Sequence, residues 1–207
     1  MPQPRMGEMK PLGGDRFQIG TIVVDKRARK FTVPGRVHVV GKPLEYLATA
    51  PRGMKDYESM LEVDTTGSEF NLACILVGLE RDPKLGQVIQ AVQTPLAGPR
   101  LAIAIAWSEG GRRRQVSAAE ALLNPDSGVK PGSVEWVYIG APASDGAAGF
   151  TPDRTGTLIG FVHDANCIIE SSVGLGIGAY GSIHGNAIVP PVGSAIELIV
   201  DAAPIAK

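Results

Sequence analysis

The sequence predicts a mainly β, α+β domain. It is expected to hold about nine strands in largely antiparallel sheet, one principal helix and one short helix. Three observations predict it. Gly (26) and Pro (16) fill about a fifth of the 207 residues, which excludes a helical bundle and favours strands joined by turns. Helical periodicity is sustained over one long segment only. The strand-like segments do not alternate regularly with helices, so parallel βαβ units are not expected.

From Phe17 the pattern turns strand-like, with Ile22–Val24 as a short β run. Lys30–Val40 alternates, with Phe31, Val33, Val37 and Val39 on one parity and His38 on the other, and Pro34-Gly35 marks a bend or bulge within it. Leu44–Thr49 and Glu58–Val63 are further strands around the Pro51-Arg52-Gly53 turn. The principal helix is predicted over about 66–80. Thr66 or Ser68 is its cap, Phe70, Leu72, Ala73, Leu76, Val77 and Leu79 recur at helical spacing, and Asp82-Pro83 is its stop. Val88–Val92 and Leu101–Ser108 follow as strands; the second is apolar on both faces and expected to be central. Arg112–Val116 pairs back on it through Glu109-Gly110-Gly111. The short helix is predicted over about 117–123 with Ser117 as cap. Val134–Ile139, Thr157–Val162 and Ala195–Asp201 complete the strands. Residues 1–17 read as a loose N-terminal arm and 18–205 as one domain.

Composition narrows function by exclusion. Twenty Lys and Arg against 21 Asp and Glu leave a net charge of −1, so nucleic acid is not an expected partner. No apolar run approaches the roughly 18 residues of a membrane span, and the N-terminus shows no signal peptide in the chain as given. Cys74 and Cys167 sit in apolar stretches and read as buried thiols. Gly176-Ile177-Gly178-Ala179-Tyr180-Gly181 spells a dinucleotide-type glycine loop. No helix can follow it through Gly185 and Pro190-Pro191, and only 26 residues remain, so no nucleotide is expected.

The candidate catalytic residues are Lys55, Tyr57, Glu58, His163 and His184. Lys55–Ser59 concentrates Lys, Asp, Tyr, Glu and Ser, and a desolvated Lys–Tyr pair does acid/base work. Read as a strand, it puts Lys55, Tyr57 and Ser59 on one face and Asp56 and Glu58 on the other; the bland alternative is a solvated turn. His163, Asp164 and His184 are the candidate metal ligands, yet no histidine pair has ligand spacing, so neither a metal nor another cofactor is expected.

Several blocks resemble the YdjY-domain family. They are GRVHVVGKPLEYLATAPRGMKDYESMLEVDTTGSEFNLACILVGLE, VEWVYIGAP with Trp136, TGTLIGFVHDANCIIE and the closing NAIVPPVGSAIELIVDAAP. The resemblance runs from about Ile19 to Pro204. It implies a largely uncharacterised bacterial family, with many members exported to the periplasm or lipid-anchored. Its members often carry a Cys before the Lys and a His before the Glu-Ser pair. Here Ala48-Thr49-Ala50 and Tyr57 stand at those positions, so no thiol or metal role passes to them. The resulting expectation is a non-catalytic, extracytoplasmic binding or accessory module, with a protein partner or homo-oligomerisation. The alternative is an enzyme with a Lys/Tyr/Glu/His polar site.

Overall fold

The computed structural model describes residues 7–89, 94–123, 134–140, 149–175 and 183–202. In chain order the strands are β1 (Met9–Gly13), β2 (Arg16–Ile19), β3 (Ile22–Asp25), β4 (Lys30–Val37), β5 (Tyr46–Thr49) and β6 (Ser59–Val63). Helix α1 (Gly67–Leu76) precedes β7 (Arg100–Glu109), β8 (Arg112–Ser117), β9 (Leu122–Leu123) and β10 (Trp136–Tyr138). Helix α2 (Thr151–Thr155) leads into β11 (Thr157–Gly160), β12 (Ile169–Ser171), β13 (His184–Gly185) and β14 (Ala195–Asp201).

The sheet is mainly β as expected, but its form corrects the nine-strand expectation. Eight strands close into a barrel in the order β4-β14-β7-β10-β12-β11-β5-β6, and β6 pairs back onto β4. β3, β2 and β1 extend the sheet from β4, β8 extends it from β7, and β9 with β13 forms a separate ribbon. Closure depends on the Pro34-Gly35 bend. One edge of β4 pairs with β14 along its full length, while its other edge changes partner. Lys30–Thr32 pairs with β3 and Gly35–Val37 pairs with β6. Pro34, with no N–H to offer, sits between the two ladders. A Cβ on Gly35 would overlap the Glu62 carbonyl and Val63, so only glycine lets the seam close. β7 is central as expected, between β14 on one edge and β10 and β8 on the other.

Alternating residues fill the barrel: Phe31, Val33 and Val37 from β4, Leu198 and Val200 from β14, and Leu101, Ile103 and Ile105 from β7 belong to one core. β5, β6, β11 and β12 are buried on both faces, so that wall is covered on its outside as well, with α1 and α2 packed against β11. Helix α1 packs on β3, β11 and α2, with Phe70 edge-to-face on Phe31 at 5.3 Å.

Two helix expectations are corrected. The principal helix spans ten residues instead of 66–80. Thr66 caps it in a reciprocal box with Glu69, as the sequence suggests. It ends early because Gly78 takes φ +84° and Leu79 N–H donates to the Cys74 carbonyl, closing a left-handed cap. The short helix at 117–123 is a single turn. Ser117 and Glu120 do form the capping box, yet Leu122–Leu123 leaves the turn to pair with β13. Long-range pairing outweighs propagation from so short a nucleus. Of the predicted strand Val88–Val92, Val88 and Ile89 are irregular and the rest lies outside the described residues, as does the Gly176–Gly181 motif. Within the N-terminal arm, Met9–Gly13 is exposed along its length and pairs with β2, and Gly7 N–H donates to Glu69 Oε1 at 2.9 Å. Among the described residues no helix is long and apolar enough to cross a membrane.

Candidate functional site

Polar groups gather at one rim of the barrel because two pairs of neighbouring strands there are parallel. β5 pairs parallel with β6 and β11 pairs parallel with β12. Each pair is joined by a short return, residues 50–58 and 161–168. A parallel connection ordinarily takes a dozen or more residues, often with a helix. Both returns are shorter; a buried side chain holds one, and a 3₁₀ turn with backbone bonds to Thr155 and Gly156 holds the other.

The return from β11 is held by Glu170. This carboxylate is fully buried on β12 and accepts from His163 N–H at 3.2 Å and from Asp164 N–H at 2.9 Å. Burial pushes its pKa up to about 8, against the opposing pull of the backbone N–H of Asp164 and the Cys167 thiol. Glycine is required at Gly160 because a Cβ would overlap Glu170 Oε1 and approach Cys167 Sγ. His163 adopts φ +62°, a left-handed conformation that makes the turn tight. Its ring is buried, and Nε2–H donates to the Ser171 carbonyl at 3.1 Å. Asp164 Oδ1 accepts from both nitrogens of Asn166, and Asp164 Oδ2 accepts from the Tyr46 hydroxyl at 2.9 Å. Burial and the neighbouring Asp164 raise the pKa of that hydroxyl.

The return from β5 carries the Lys55–Ser59 motif. Its strand reading is corrected: Asp56–Glu58 is a 3₁₀ turn. Residues i and i+3 eclipse in that geometry, so Lys55 Nζ meets Glu58 Oε2 at 3.1 Å instead of pointing away from it. Lys55 also lies 4.0 Å from Glu45 Oε2 and 5.6 Å from the centroid of the exposed Tyr57 ring. Burial and the facing Glu58 raise the pKa of Glu45. Burial pulls Lys55 downward, but its hydrogen bonds to Glu58 and Tyr57 hold it above the ordinary lysine value. The two returns touch through the backbone: Phe161 N–H donates to Glu45 O and Glu45 N–H to Glu58 O.

The structure therefore unites Lys55 with Glu58 and His163 with Asp164. Tyr57 lies at the edge of the first group. His184 is placed elsewhere, on β13 opposite Leu123. Sequence reasoning missed Glu45, Tyr46 and Glu170. The signal was present, since Glu45 and Glu170 are charges inside apolar strand segments, LEYLAT and CIIES. Cys74 and Cys167 are free and buried, and burial raises both thiols well above their ordinary range. On β8, Arg113 pairs with Glu197 at 2.6 Å and Arg114 with Glu109 at 3.0 Å.

A cleft of about 290 Å³ opens beside His163. Residues 84–87, Ile89 and 94–97 line the rest of it, with Lys84, Gln87 and Thr94 contributing polar side chains.

The match to the YdjY domain model runs over residues 22–201, from the start of β3 to the end of β14. The chain belongs to the YdjY-domain family. Comparison with curated proteins and with solved structures gives no match. The matched span of the YdjY domain contains every strand of the barrel and both parallel returns; β1 and β2 lie outside it.

Proposed function

We propose that this YdjY-domain protein is a non-catalytic, extracytoplasmic binding or accessory module, and that the cleft beside His163 receives a small ligand or a protruding segment of a protein partner. The observation that carries the reading is the state of the groups with chemical reach. Glu170 and Cys167 are sealed from solvent, and Gly160 leaves no room for a substrate between them. His163 is committed to Ser171 and serves as a wall of the cleft. The concave surface is lined by Leu85, Ile89 and Leu96 with a few polar groups, a composition suited to holding.

Native mass spectrometry of the protein isolated from its own source tests this. Added mass of a ligand, a partner or further copies is expected. Loss of that mass in Ala97→Trp, which fills the cleft from its exposed side, would place the contact there. A bare monomer from the native source refutes the reading.

One observation favours a second reading, an enzyme acting at Lys55, Glu45 and Glu58. Glu45 Oε2 is buried without a hydrogen-bond partner. Two carboxyl groups of unequal environment beside a lysine form an acid/base set. Turnover of any substrate that is abolished by Glu45→Gln would establish it over the binding module.

A further inference from the structure

Three side chains with metal-ligand chemistry, one of them from the β5 return, converge on the seam that closes the barrel. His38 follows β4, Glu62 lies on β6, and Asp56 lies in the 3₁₀ turn that precedes β6. One donor atom from each lies within 4.8 Å of the other two. We propose that His38, Asp56 and Glu62 bind a first-row divalent transition-metal ion.

The register explains the convergence. Arg36 stands opposite Glu62, and His38 N–H donates to the Met60 carbonyl, so Arg36, His38 and Glu62 share the outer face while Val37 and Leu61 point into the core. The short return from β5 then lays Asp56 over the same face. Glu62 is nearly buried there, and Arg36 holds its Oε1 at 2.8 Å. That contact orients the carboxylate, an outer partner of the kind metal-binding carboxylates carry. Among the described residues no hydrogen bond engages the side chain of His38 or of Asp56, in contrast to His163 and Asp164 in the pinned return.

A second observation stands beside the triad. Thr49 pairs in register with Glu62 and is fully buried, yet its hydroxyl has no hydrogen-bond partner. Buried hydroxyls seldom go unpaired. A metal-bound water beside Glu62 would supply the partner.

The donor set selects the class of ion. Bonds of about 2.0–2.2 Å to nitrogen and oxygen put neighbouring ligands roughly 3–3.5 Å apart, within a side-chain adjustment of the geometry present. One imidazole with two carboxylates favours zinc, manganese or iron over calcium or magnesium. Three protein ligands leave positions for water. This site is separate from the cleft beside His163, and its test does not depend on the binding-module reading.

The experiment is calorimetric titration of the chelator-stripped full chain with Zn²⁺ and, separately, Mn²⁺. One equivalent per chain is expected, weakened at least about tenfold in His38→Ala and in Asp56→Asn and unchanged in His184→Ala. No saturable binding below about 1 mM of either metal overturns the site, as does a smaller loss in either variant. If a variant fails to fold, Mn²⁺-induced broadening of amide resonances in the wild-type chain decides. Broadening centred on His38, Asp56 and Glu62 supports the site, and a centre elsewhere overturns it.

Discussion

Replacing Glu170 by Gln tests the account of the pinned return most directly. The carboxyl titrates at about 8 in the folded chain, against an ordinary value of 4.5. An acid whose pKa rises on folding binds more protons in the folded state across that window. Its contribution is therefore greatest below about pH 4.5, is lost as the pH climbs toward 8, and is level above it. At about 1.4 kcal/mol per pH unit, the interval integrates to roughly 5 kcal/mol. The substituted amide does not titrate. It accepts from one of the two backbone N–H groups and turns a donor toward the other, a pH-independent cost of about 1–3 kcal/mol. The difference in stability between wild type and Glu170→Gln should thus favour the wild type at pH 5 and reverse by pH 9. With a urea m-value of about 2 kcal/mol/M, the two midpoints should shift relative to each other by roughly 2 M. Taking the difference removes the shared titration of Glu45. Parallel stability curves between pH 5 and 9 would refute the premise that burial outweighs the backbone donors at Glu170.

Three further outcomes follow from the same geometry. Gly160→Ala should destabilise by about 1–3 kcal/mol or more in urea unfolding, because its methyl overlaps Glu170 and crowds Cys167. Thr66→Ala should cost about 1 kcal/mol in the same assay through loss of the α1 cap, and amide exchange should quicken first at Glu69, whose N–H the hydroxyl accepts. Lys55→Met should cost no more than about 1 kcal/mol at neutral pH, since the lysine is well exposed, and the difference should shrink on acidification as Glu45, its pKa raised by burial, takes up a proton.

Local signals carried much of the fold. The box at Thr66 and Glu69, the alternation of β4 and β14, and the β7–β8 hairpin around Gly110-Gly111 act over a few residues and are legible as such. Closure was not legible, because it rests on pairings distant in sequence. Pro34-Gly35 announces a bend, but not that the strand changes partner from β3 to β6 there. The two-residue strands β9 and β13 have no periodicity of their own. At the candidate site, the Lys55–Ser59 cluster was found and its conformation mistaken, because a 3₁₀ turn and a strand differ in which residues share a face. Glu170 and Glu62 were passed over as strand residues, although a charge between apolar neighbours carries a cost that must be repaid by specific partners.

That cost explains where the polar groups lie. A barrel with neighbouring parallel strands needs a return between each such pair, and this chain allots only residues 50–58 and 161–168 to the task. A segment that short cannot satisfy its backbone within a helix, so it needs partners from elsewhere. Glu170 supplies them to His163 and Asp164, Asp164 supplies one to Asn166, and the carbonyls of Gly156 and Thr155 supply them to Ala50 and Met54 of the other return. The charges at the rim are therefore first a consequence of topology, and their presence is weak support for catalysis. His38 and Asp56 are different. Among the described residues their side chains satisfy no backbone group, yet the seam brings them together with Glu62. The rim thus explains how the barrel closes, and the metal titration at the seam is the sharper probe of what the closed barrel is for.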